Sequence, residues 1–469
     1  MDTILAHYVP GGGRSKFRDV VAAIHAAIAK GALAPGDQLP PVRDLAWKLD
    51  MTPGTVARAY AALTDEGMTE GQVGRGTFIA QPSPPVQFVP EPWFDAGLAA
   101  EAEADDQVSL FATALPDMGQ VALIHDAFAR LGSRPPRDLL AYPSRSGFEP
   151  ARHAVLHWLS GAALGPIDHE DLVLSHGGQS GVSLVMQSVL HGRKPVVLLE
   201  ELTYPGFRRA AQLLRADVVS VPMDAQGIIP EALAELAQKH DAQLLCTCPE
   251  VHNPTGIFTP QSRRVQIAEV AAQLGLHILE DDCYRVGDAR ASSYRALLPN
   301  LGWYVSSLSK SLTPALRIGF AVAPRAHAST LRRAAEHGFF GLARPLADLT
   351  EDVLLRPETA EIAEKIRAQL QRYTRVAVNG LGGYDLRWGD DIPFLWLNLP
   401  DGWRAGSFTK AAAGRGVQLR SAEDFALRDA RLPHAVRIGI NAQIPLPRFE
   451  SAIARLRDLL DNPPEGMVV

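Results

Sequence analysis

The stretch that decides the fold is Ser306-Ser307-Leu308-Ser309-Lys310-Ser311-Leu312-Thr313-Pro314-Ala315-Leu316-Arg317-Ile318-Gly319. It continues a strand-like run that ends at Ser306, and its lysine stands among hydroxyls, seven residues before an arginine. The amine of Lys310 can form a Schiff base with an aldehyde. Ser307, Ser309 and Arg317 offer hydrogen bonds and a fixed positive charge to a phosphate. The segment therefore favours a cofactor that carries both an aldehyde and a phosphate over an ordinary solvated lysine.

Composition and charge indicate the class of protein. The 469 residues are 46% hydrophobic and 21% charged, as in a soluble globular protein of two or three domains. No apolar run has the length of a membrane span, and the N-terminus lacks a signal-peptide pattern. The three cysteines are too few for a disulfide framework, and Cys246 and Cys248 lie in an apolar run that favours buried thiols over a metal site. We therefore expect a cytoplasmic protein with no metal site and no membrane contact. The net charge of −6 means that any DNA contact must be local.

The first eighty residues have the pattern of three short helices followed by a hairpin. Apolar residues recur at helical spacing over 17–28, and a second short helix extends through about residue 49. Thr52-Pro53 is typical of an N-cap followed by proline in the first turn, and this third helix should stop at 66–67. The glycines of 72–79 indicate a tight hairpin with a strand after it. This order predicts a winged helix-turn-helix.

Five motifs lie within this region. In chain order they are Gly31-x-Leu33-x-Pro35-Gly36-Asp37-x-Leu39-Pro40, Arg43-Asp44-Leu45-Ala46, Thr55-Val56, Leu63-x-x-Glu66-Gly67 and Gly74-Arg75-Gly76-Thr77-Phe78. Together they resemble the GntR family of DNA-binding domains. The resemblance implies that the third helix enters the major groove and that the wing approaches the minor groove. The DNA contacts that it implies are Arg43, Thr52, Thr55, Arg58 and Arg75.

Two positions depart from the GntR pattern. Thr52 is followed by Pro53 where the family usually places Ser/Thr-Arg, and Ala57 stands where the family often has arginine, with Arg58 beside it. Positive and negative side chains are also nearly balanced over 14–80. A winged helix that contacts protein rather than DNA is therefore the alternative interpretation.

A proline-rich and acidic stretch separates this region from the rest of the chain. It begins with Pro82-Ser83-Pro84-Pro85 and ends in an acidic run at 101–106, a composition typical of a semi-extended linker. We predict a DNA-binding domain at 14–80, a linker at 81–106 and an effector domain at 107–469.

Strand-like runs alternate with helical stretches after the linker. The runs lie at 172–174, 196–199, 218–221, 243–248, 277–280, 304–306 and 319–323. Such alternation predicts an α/β domain with a mainly parallel sheet and helices on both faces. Ligands of such sheets bind beyond the strand ends, and the candidate motifs follow these strands.

Six further motifs accompany the Lys310 segment. They are Tyr142-Pro143-Ser144-Arg145-Ser146-Gly147, His176-Gly177-Gly178-Gln179, Glu201-Leu202-Thr203-Tyr204-Pro205-Gly206, Asn253-Pro254-Thr255-Gly256, Glu280-Asp281-Asp282-Cys283-Tyr284 and His434-Ala435-Val436-Arg437-Ile438-Gly439-Ile440. With Lys310 they resemble, in order and type, the fold type I pyridoxal-phosphate (PLP) enzymes of the aspartate aminotransferase family. The resemblance implies that the domain has this fold and binds PLP.

The resemblance also implies how four of these residues contact the cofactor. Gly178 and Gln179, at the start of a helix, hold the phosphate through free backbone amides. Tyr204 stacks on the pyridine ring, and Asn253 bonds the ring hydroxyl. The alternatives are a simple turn glycine before the helix and a tyrosine that covers the core.

Two residues of the acidic motif take cofactor roles in the same comparison. Asp281 keeps the pyridine nitrogen protonated, so the ring can act as an electron sink, and Tyr284 contacts the ring hydroxyl. Glu280 and Asp282 are then either supporting carboxylates or solvated ones.

The remaining two motifs concern the partner subunit and the substrate. Tyr142 reaches the phosphate of the other subunit in this family, which implies a head-to-tail homodimer; the alternative is a loop tyrosine at a domain edge. Arg437 lies in an apolar strand, where a charge is costly unless it meets a carboxylate. The resemblance assigns Arg437 to the carboxylate of a substrate or effector.

A GntR-like winged helix joined to an aminotransferase-like domain resembles the MocR/GabR regulators. The leading hypothesis is a transcriptional regulator that senses an amine, an amino acid or PLP through an aldimine. The second is an active aminotransferase with an accessory DNA-binding domain, because Lys310, Asp281 and Arg437 are all present. A DNA-binding protein with an inactive scaffold is disfavoured for the same reason.

Overall fold

The computed structural model describes residues 2–9, 16–65, 68–72, 76–80, 107–133, 140, 142, 144–428 and 430–463. The chain divides into two compact units, Met1–Phe94 and Asp95–Val469. The predicted linker and the predicted wing contact Arg75 lie outside the described residues, as does the end predicted for the third helix at 66–67. No helix in the described ranges is long and apolar enough to cross a membrane.

The first unit combines short helices with a hairpin. Its elements are α1 (Asp2–Leu5), α2 (Lys16–Ala29), α3 (Val42–Lys48), α4 (Pro53–Asp65), β1 (Thr69–Gln72) and β2 (Gly76–Ile79). The strands pair antiparallel, with Thr69 opposite Ile79. Buried apolar residues of α2, α3 and α4, among them Ile24, Leu45 and Val56, form one core with the hairpin. The predicted winged helix-turn-helix is confirmed, and only the short α1 was not predicted.

The second unit contains the remaining elements. Its helices are α5 (Gln120–Ser133), α6 (Glu149–Trp158), α7 (Gly178–Val189), α8 (Pro205–Leu213), α9 (Pro230–His240), α10 (Gln261–Leu274), α11 (Tyr294–Leu297), α12 (Ala328–Phe339), α13 (Arg344–Leu354), α14 (Pro357–Leu381), α15 (Ala405–Gly414) and α16 (Leu446–Asp461). Its strands are β3 (Val108–Ser109), β4 (Leu172–Ser175), β5 (Val196–Glu200), β6 (Asp217–Val221), β7 (Met223–Asp224), β8 (Gly227–Ile228), β9 (Leu244–Thr247), β10 (His277–Asp281), β11 (Gly302–Ser307), β12 (Gly319–Val322), β13 (Leu386–Arg387), β14 (Phe394–Asn398), β15 (Val417–Gln418), β16 (Arg420–Ser421) and β17 (Ala435–Gly439).

A seven-stranded sheet in the order β4-β12-β11-β10-β9-β5-β6 forms the centre of this unit. Strands β6, β5, β9, β10 and β11 are parallel, and β12 runs antiparallel between β11 and β4. Leu198 packs with residues of α9 and α10, whereas its neighbour Leu199 packs with residues of α7, α8 and α12. Helices therefore cover both faces, as predicted, and the seven predicted strands are the seven strands of this sheet.

Two features of the sheets bring distant residues together. Gly319 at the start of β12 pairs with Ser307 on one side and with Ser175 on the other. A smaller antiparallel sheet has the order β13-β14-β17-β16, in which Arg437 of β17 lies opposite Trp396 and Arg420. The sequence predicted the strand of Arg437 but not the sheet around it.

Candidate cofactor pocket and DNA-binding surface

A pocket in the second unit lies where the parallel strands end. Every predicted cofactor residue except Tyr142 lines it, namely Gly178, Gln179, Tyr204, Asn253, Asp281, Tyr284, Ser307, Ser309, Lys310 and Arg317. Cys248, Cys283 and Pro314 also line it and were not predicted. The two cysteines follow the same strands as the predicted motifs, so strand ends could have been used to find them.

Lys310 lies in the turn that follows β11. Its Nζ donates a hydrogen bond to the Thr113 carbonyl at 3.3 Å and lies 5.6 Å from the centroid of the Tyr284 ring. Within the described residues Lys310 makes no ion pair. An amine held only by a neutral carbonyl remains available to react with an aldehyde.

The start of α7 and Arg317 form a cradle for an anion. Gly177, immediately before the helix, has φ 79°, and a Cβ there would lie 2.5 Å from a terminal nitrogen of Arg317. Only glycine therefore lets the guanidinium lie against the helix N-terminus, where free N–H groups point outward. Arg317 itself has a left-handed φ of 51°, an uncommon conformation for a side-chain-bearing residue. These features fit the phosphate of PLP.

Asp281 at the end of β10 fits the ring nitrogen of the cofactor. The carboxylate is buried and accepts a hydrogen bond from the Cys283 backbone N–H at 3.0 Å. Burial raises the pKa of Asp281 to about 6, although the bonds from Cys283 oppose the shift. A protonated pyridine nitrogen would supply the positive charge that this buried carboxylate needs.

The acidic neighbours of Asp281 are buried and already have partners. Glu280 accepts from the Tyr294 N–H at 2.7 Å. Asp282 accepts from the Tyr304 hydroxyl at 2.6 Å and pairs with Arg285 at 2.5 Å. Both are therefore supporting carboxylates rather than solvated ones.

The aromatic wall of the pocket depends on close packing. Tyr204 precedes α8 and meets Phe207 edge-on at 5.7 Å. A Cβ on Gly206 would lie 2.3 Å from the Tyr204 ring and 2.0 Å from Oε1 of Gln179. The Gln179 side chain donates to the Gly206 carbonyl at 3.0 Å. Glycine at 206 thus lets the tyrosine, the glutamine and α8 meet.

Arg437 lies beside the pocket and contacts one of its lining residues. Its guanidinium donates to Asn253 Oδ1 at 2.6 Å and to the Phe111 carbonyl at 3.1 Å, and its Nε is buried without a partner. The side chain is 4% exposed, and no carboxylate among the described residues pairs with it. A buried cation with an unused donor suits an incoming carboxylate.

Tyr142 does not reach the pocket of its own chain. It is 81% exposed and stacks on Phe340 with centroids 5.3 Å apart. Its predicted role at the phosphate of a partner subunit remains a prediction.

The predicted DNA contacts within the described residues lie at the surface of the first unit. Arg43 on α3 and Arg58 on α4 are exposed, and Arg58 lies 4.5 Å from the centroid of the Phe17 ring. Thr52 and Thr55 share a hydrogen bond of 2.9 Å between their hydroxyls at the start of α4. This end of α4 presents small polar groups and one cation to solvent, which suits contact with a nucleic acid backbone.

One face of α4 is buried and the opposite face carries small residues. Val56 and Tyr60 are buried, and the Tyr60 hydroxyl donates to the Pro40 carbonyl at 2.8 Å. Gly54, Ala57 and Ala61 are exposed. Small side chains on the exposed face leave room for close approach to a groove.

Family models and known proteins match both units. Residues 106–456 match the family of aminotransferases class I and II, and residues 16–79 match the bacterial regulatory proteins of the gntR family. The HTH-type transcriptional regulator YdeF of Bacillus subtilis is 26% identical over 93% of this chain and 92% of its own length.

Two further relatives are a transcriptional regulator and a transaminase. The HTH-type pyridoxine biosynthesis transcriptional regulator PdxR of Corynebacterium glutamicum is 26% identical over 71% of this chain and 70% of its own length. The 2-aminoadipate transaminase of Thermus thermophilus is 29% identical over 61% of this chain and 73% of its own length.

Solved structures agree on the fold of the larger unit. An archaeal alanine:glyoxylate aminotransferase superposes with a TM-score of 0.70 at 20% identity, over 79% of this chain and 94% of its own. LysN, the α-aminoadipate aminotransferase of Thermus thermophilus complexed with a phosphopyridoxyl-leucine, gives 0.66 at 24% identity, over 79% and 98%. The pocket and the family together establish PLP as the cofactor. The chain belongs to the aminotransferase class I and II family and, with its gntR-type winged helix, is a DNA-binding transcriptional regulator with a PLP-type aminotransferase-like domain.

Proposed function

We propose that this regulator changes its affinity for DNA when an amine, an amino acid or PLP itself occupies the aminotransferase-like domain. The observation that carries the proposal is Arg437, a buried cation beside the pocket of Lys310 that forms no ion pair with a carboxylate of the described residues. Such an arginine favours a carboxylated amine as the effector. The cofactor residues and DNA contacts named above are part of this proposal.

The residues of the pocket have distinct tasks in this proposal. When bound, PLP would supply an aldehyde that reacts with a primary amine. Lys310 would offer that amine in the resting protein, and an effector would bring its own amine to the same place. Asp281 holds the proton of the ring nitrogen, and Arg317 with the start of α7 holds the phosphate. Arg437 binds the carboxylate of the effector.

We further propose that the protein acts as a head-to-tail homodimer in which Tyr142 completes the phosphate site of the partner. The exposure of Tyr142 supports this, because a partner could reach it. Two winged helices at 14–80, each joined through 81–106 to an effector domain at 107–469, would bind repeated half-sites. A regulator of this type acts where the chromosome lies, so we place it in the cytoplasm.

One experiment tests the regulator proposal directly. Amines and amino acids are screened for a change in the visible spectrum of the PLP-loaded protein, and each is then added to a DNA-binding assay with the chain's own upstream region. Binding and conformation are linked reciprocally, so the compounds that change the spectrum must also change DNA affinity. Spectral changes that leave DNA affinity unaltered would contradict the proposal. A monomer with full cofactor occupancy would contradict the dimer.

A catalytically active aminotransferase is the second candidate. It is favoured by the joint presence of Lys310, Asp281 and Arg437 around one site. A relative named 2-aminoadipate transaminase adds support. This candidate predicts sustained turnover of an amino acid with a keto acid and a DNA affinity that substrate does not alter. We expect the regulator outcome.

A further inference from the structure

Three side chains with metal-ligand atoms meet on the surface of the second unit, and the proposed function gives them no role. Glu149 and His153 are one turn apart on α6, so both lie on the same face of the helix. His169 belongs to the short 3-10 turn His169–Asp171, which leads directly into β4. One potential ligand atom from each residue lies within 4.8 Å of the other two. The expectation of no metal site was drawn from the cysteines alone and did not consider this group.

The separations between these atoms suit coordination of one ion. Oε1 of Glu149 lies 3.7 Å from Nε2 of His153 and 4.0 Å from Nε2 of His169. Bonds of about 2.0–2.2 Å from a zinc ion to nitrogen and oxygen place two ligands of one ion roughly 3–4 Å apart. Glu149 and His153 are exposed, so small rotations of their side chains can close the remaining gap.

His169 already has the surroundings of a metal ligand. Its Nδ1 lies 3.2 Å from Oδ1 of Asp168, and the same oxygen accepts a hydrogen bond from the backbone N–H of Glu170 at 2.9 Å. A carboxylate beside Nδ1 favours the proton on that nitrogen, which leaves the lone pair of Nε2 free for a metal. Histidines that bind metals commonly have such a carboxylate at the nitrogen that does not bind.

The charges around the group decide which class of metal it suits. Glu170, the other carboxylate near Nε2 of His169, pairs with three arginines, namely Arg145, Arg152 and Arg332. Within the described residues, the ion-pair partners of Glu149 are the two histidines. The charge of Arg152 nevertheless acts on Glu149 and Asp168, so the arginines oppose a cation that depends on carboxylate charge alone. Neutral imidazoles must therefore supply most of the binding, which disfavours magnesium and calcium and favours a transition metal.

We infer that Glu149, His153 and His169 form a binding site for a transition-metal dication of the zinc type. Two imidazoles and one carboxylate are a ligand set that Zn²⁺ accepts, and the exposed position leaves a fourth place for water. The ion would join the start of α6, shortly after Tyr142, to the turn before β4. The imidazole rings lie 4.6 Å apart between centroids, and one shared dication holds both in the neutral form. The inference does not depend on the proposed function.

The test measures zinc binding to the PLP-loaded full chain, prepared without a histidine tag. Zinc chloride is titrated by calorimetry, and thermal unfolding is followed with and without zinc. The variants that remove one ligand each are His153→Ala, His169→Ala and Glu149→Gln. Asp168→Asn keeps an oxygen for the N–H of Glu170 but removes the charge beside His169. The matched control is His157→Ala, at an exposed histidine one turn farther along α6.

We expect the unchanged protein to bind zinc saturably and to unfold at a higher temperature with zinc than without it. Each ligand variant should lose both effects. Asp168→Asn should weaken binding about 10- to 100-fold, as the loss of a carboxylate behind a histidine ligand does. His157→Ala should bind zinc like the unchanged protein, and an excess of magnesium chloride should not displace the zinc.

Three results would overturn the inference. They are the absence of saturable zinc binding, zinc binding that survives His153→Ala, and an equal loss in His157→Ala and His169→Ala. Displacement of zinc by magnesium would overturn the choice of metal class. Far-UV circular dichroism checks that each variant is folded, and the exposed position of His153 keeps His153→Ala decisive if another variant fails to fold.

Discussion

The cofactor pocket and the DNA-binding surface differ in how their functional side chains are held. At the pocket, Asp281 and the neighbouring Arg437 are buried and fixed by hydrogen bonds within their own chain. On the winged helix, Arg43 and Arg58 are exposed, and the only contact described for Arg58 is with the ring of Phe17. A binding site for a small ligand can be rigid and preformed. An exposed side chain that binds DNA finds most of its partners on the DNA itself. Substitutions should therefore have larger effects in and beside the pocket than on the winged helix.

The largest effect is expected at Lys310, where Lys310→Ala should abolish the visible absorbance of bound PLP. Lys310 is the one residue of the pocket with an amine, and its side chain makes a single hydrogen bond to a carbonyl, so the fold should survive. Absorbance spectra and far-UV circular dichroism measure the two properties. Lys410→Ala, at an exposed lysine of α15, should retain the band. If the band persists in Lys310→Ala, the assignment of the cofactor lysine is wrong.

Arg437→Ala should leave the absorbance of the resting protein intact and weaken the response to a carboxylated effector. Removing one partner of a buried charged pair costs about 2–5 kcal/mol, or roughly 30- to several-thousand-fold in affinity. Titration of the spectrum with the effector measures the loss, and Arg387→Ala is the exposed control. An unchanged response to a carboxylated amine would show that Arg437 is not the clamp.

Asp281→Asn should change how stability depends on pH. In the cofactor-free protein the folded carboxyl has a pKa of about 6, above that of the unfolded chain, so the folded state binds more protons between about pH 4 and 6. The free energy of unfolding should therefore fall as pH rises through this window. Asparagine removes that fall, which stabilises the cofactor-free protein at pH 7 by roughly 1–3 kcal/mol.

The same substitution should weaken PLP binding, because the ring nitrogen would lose the carboxylate that we propose keeps it protonated. Denaturant unfolding at several pH values, with and without PLP, measures both effects. Asp401→Asn, at an exposed aspartate, should not alter the pH dependence. A parallel loss of stability at all pH values would mean that Asp281 is merely a structural carboxylate.

The smallest and most graded effects are expected on DNA. Binding should need residues 14–80 and should weaken with salt as counterions are released. Arg75→Ala should lower affinity for all sequences. Arg58→Ala should cost roughly 1–3 kcal/mol on the cognate site and relax base preference. Arg18→Ala is the matched control, because its Cζ also lies near the Phe17 ring, at 5.9 Å. Equal losses on cognate and random DNA for Arg58→Ala would remove its base-reading role.

The features predicted best from the sequence are those that depend on local backbone geometry: strands, helix starts and the residues that follow strand ends. The seven strands of the central sheet are short continuous apolar runs, and the pocket residues follow their ends, as parallel sheets require. Pro53 at the start of α4 and Gly177 before α7 were likewise predictable, because each residue type suits the backbone conformation at a helix start.

Contacts between distant parts of the chain could not be predicted in the same way. The carbonyls of Phe111 and Thr113, which hold Arg437 and Lys310, lie on an irregular segment whose position depends on tertiary packing. Arg420 belongs to a two-residue strand that exists only because β17 pairs with it. Strands this short carry no periodicity, so the cation beside Arg437 escaped detection.

The register of β12 fixes the distance between two parts of the site. Gly319 pairs with Ser307, just before the lysine turn, and with Ser175, just before the anion cradle. A Cβ added to Gly319 would lie 2.4 Å from the carbonyl carbon of Gly177, so the two segments approach too closely for any other residue. A slip of one residue would move one end against the other by about 3.3 Å, which is more than two covalent bonds. The pairing of β12 thus fixes the distance between the lysine turn, which would meet the aldehyde, and the anion cradle, which would hold the phosphate. Homologues of PLP with an additional methylene between ring and phosphate should be rejected even though they carry every functional group.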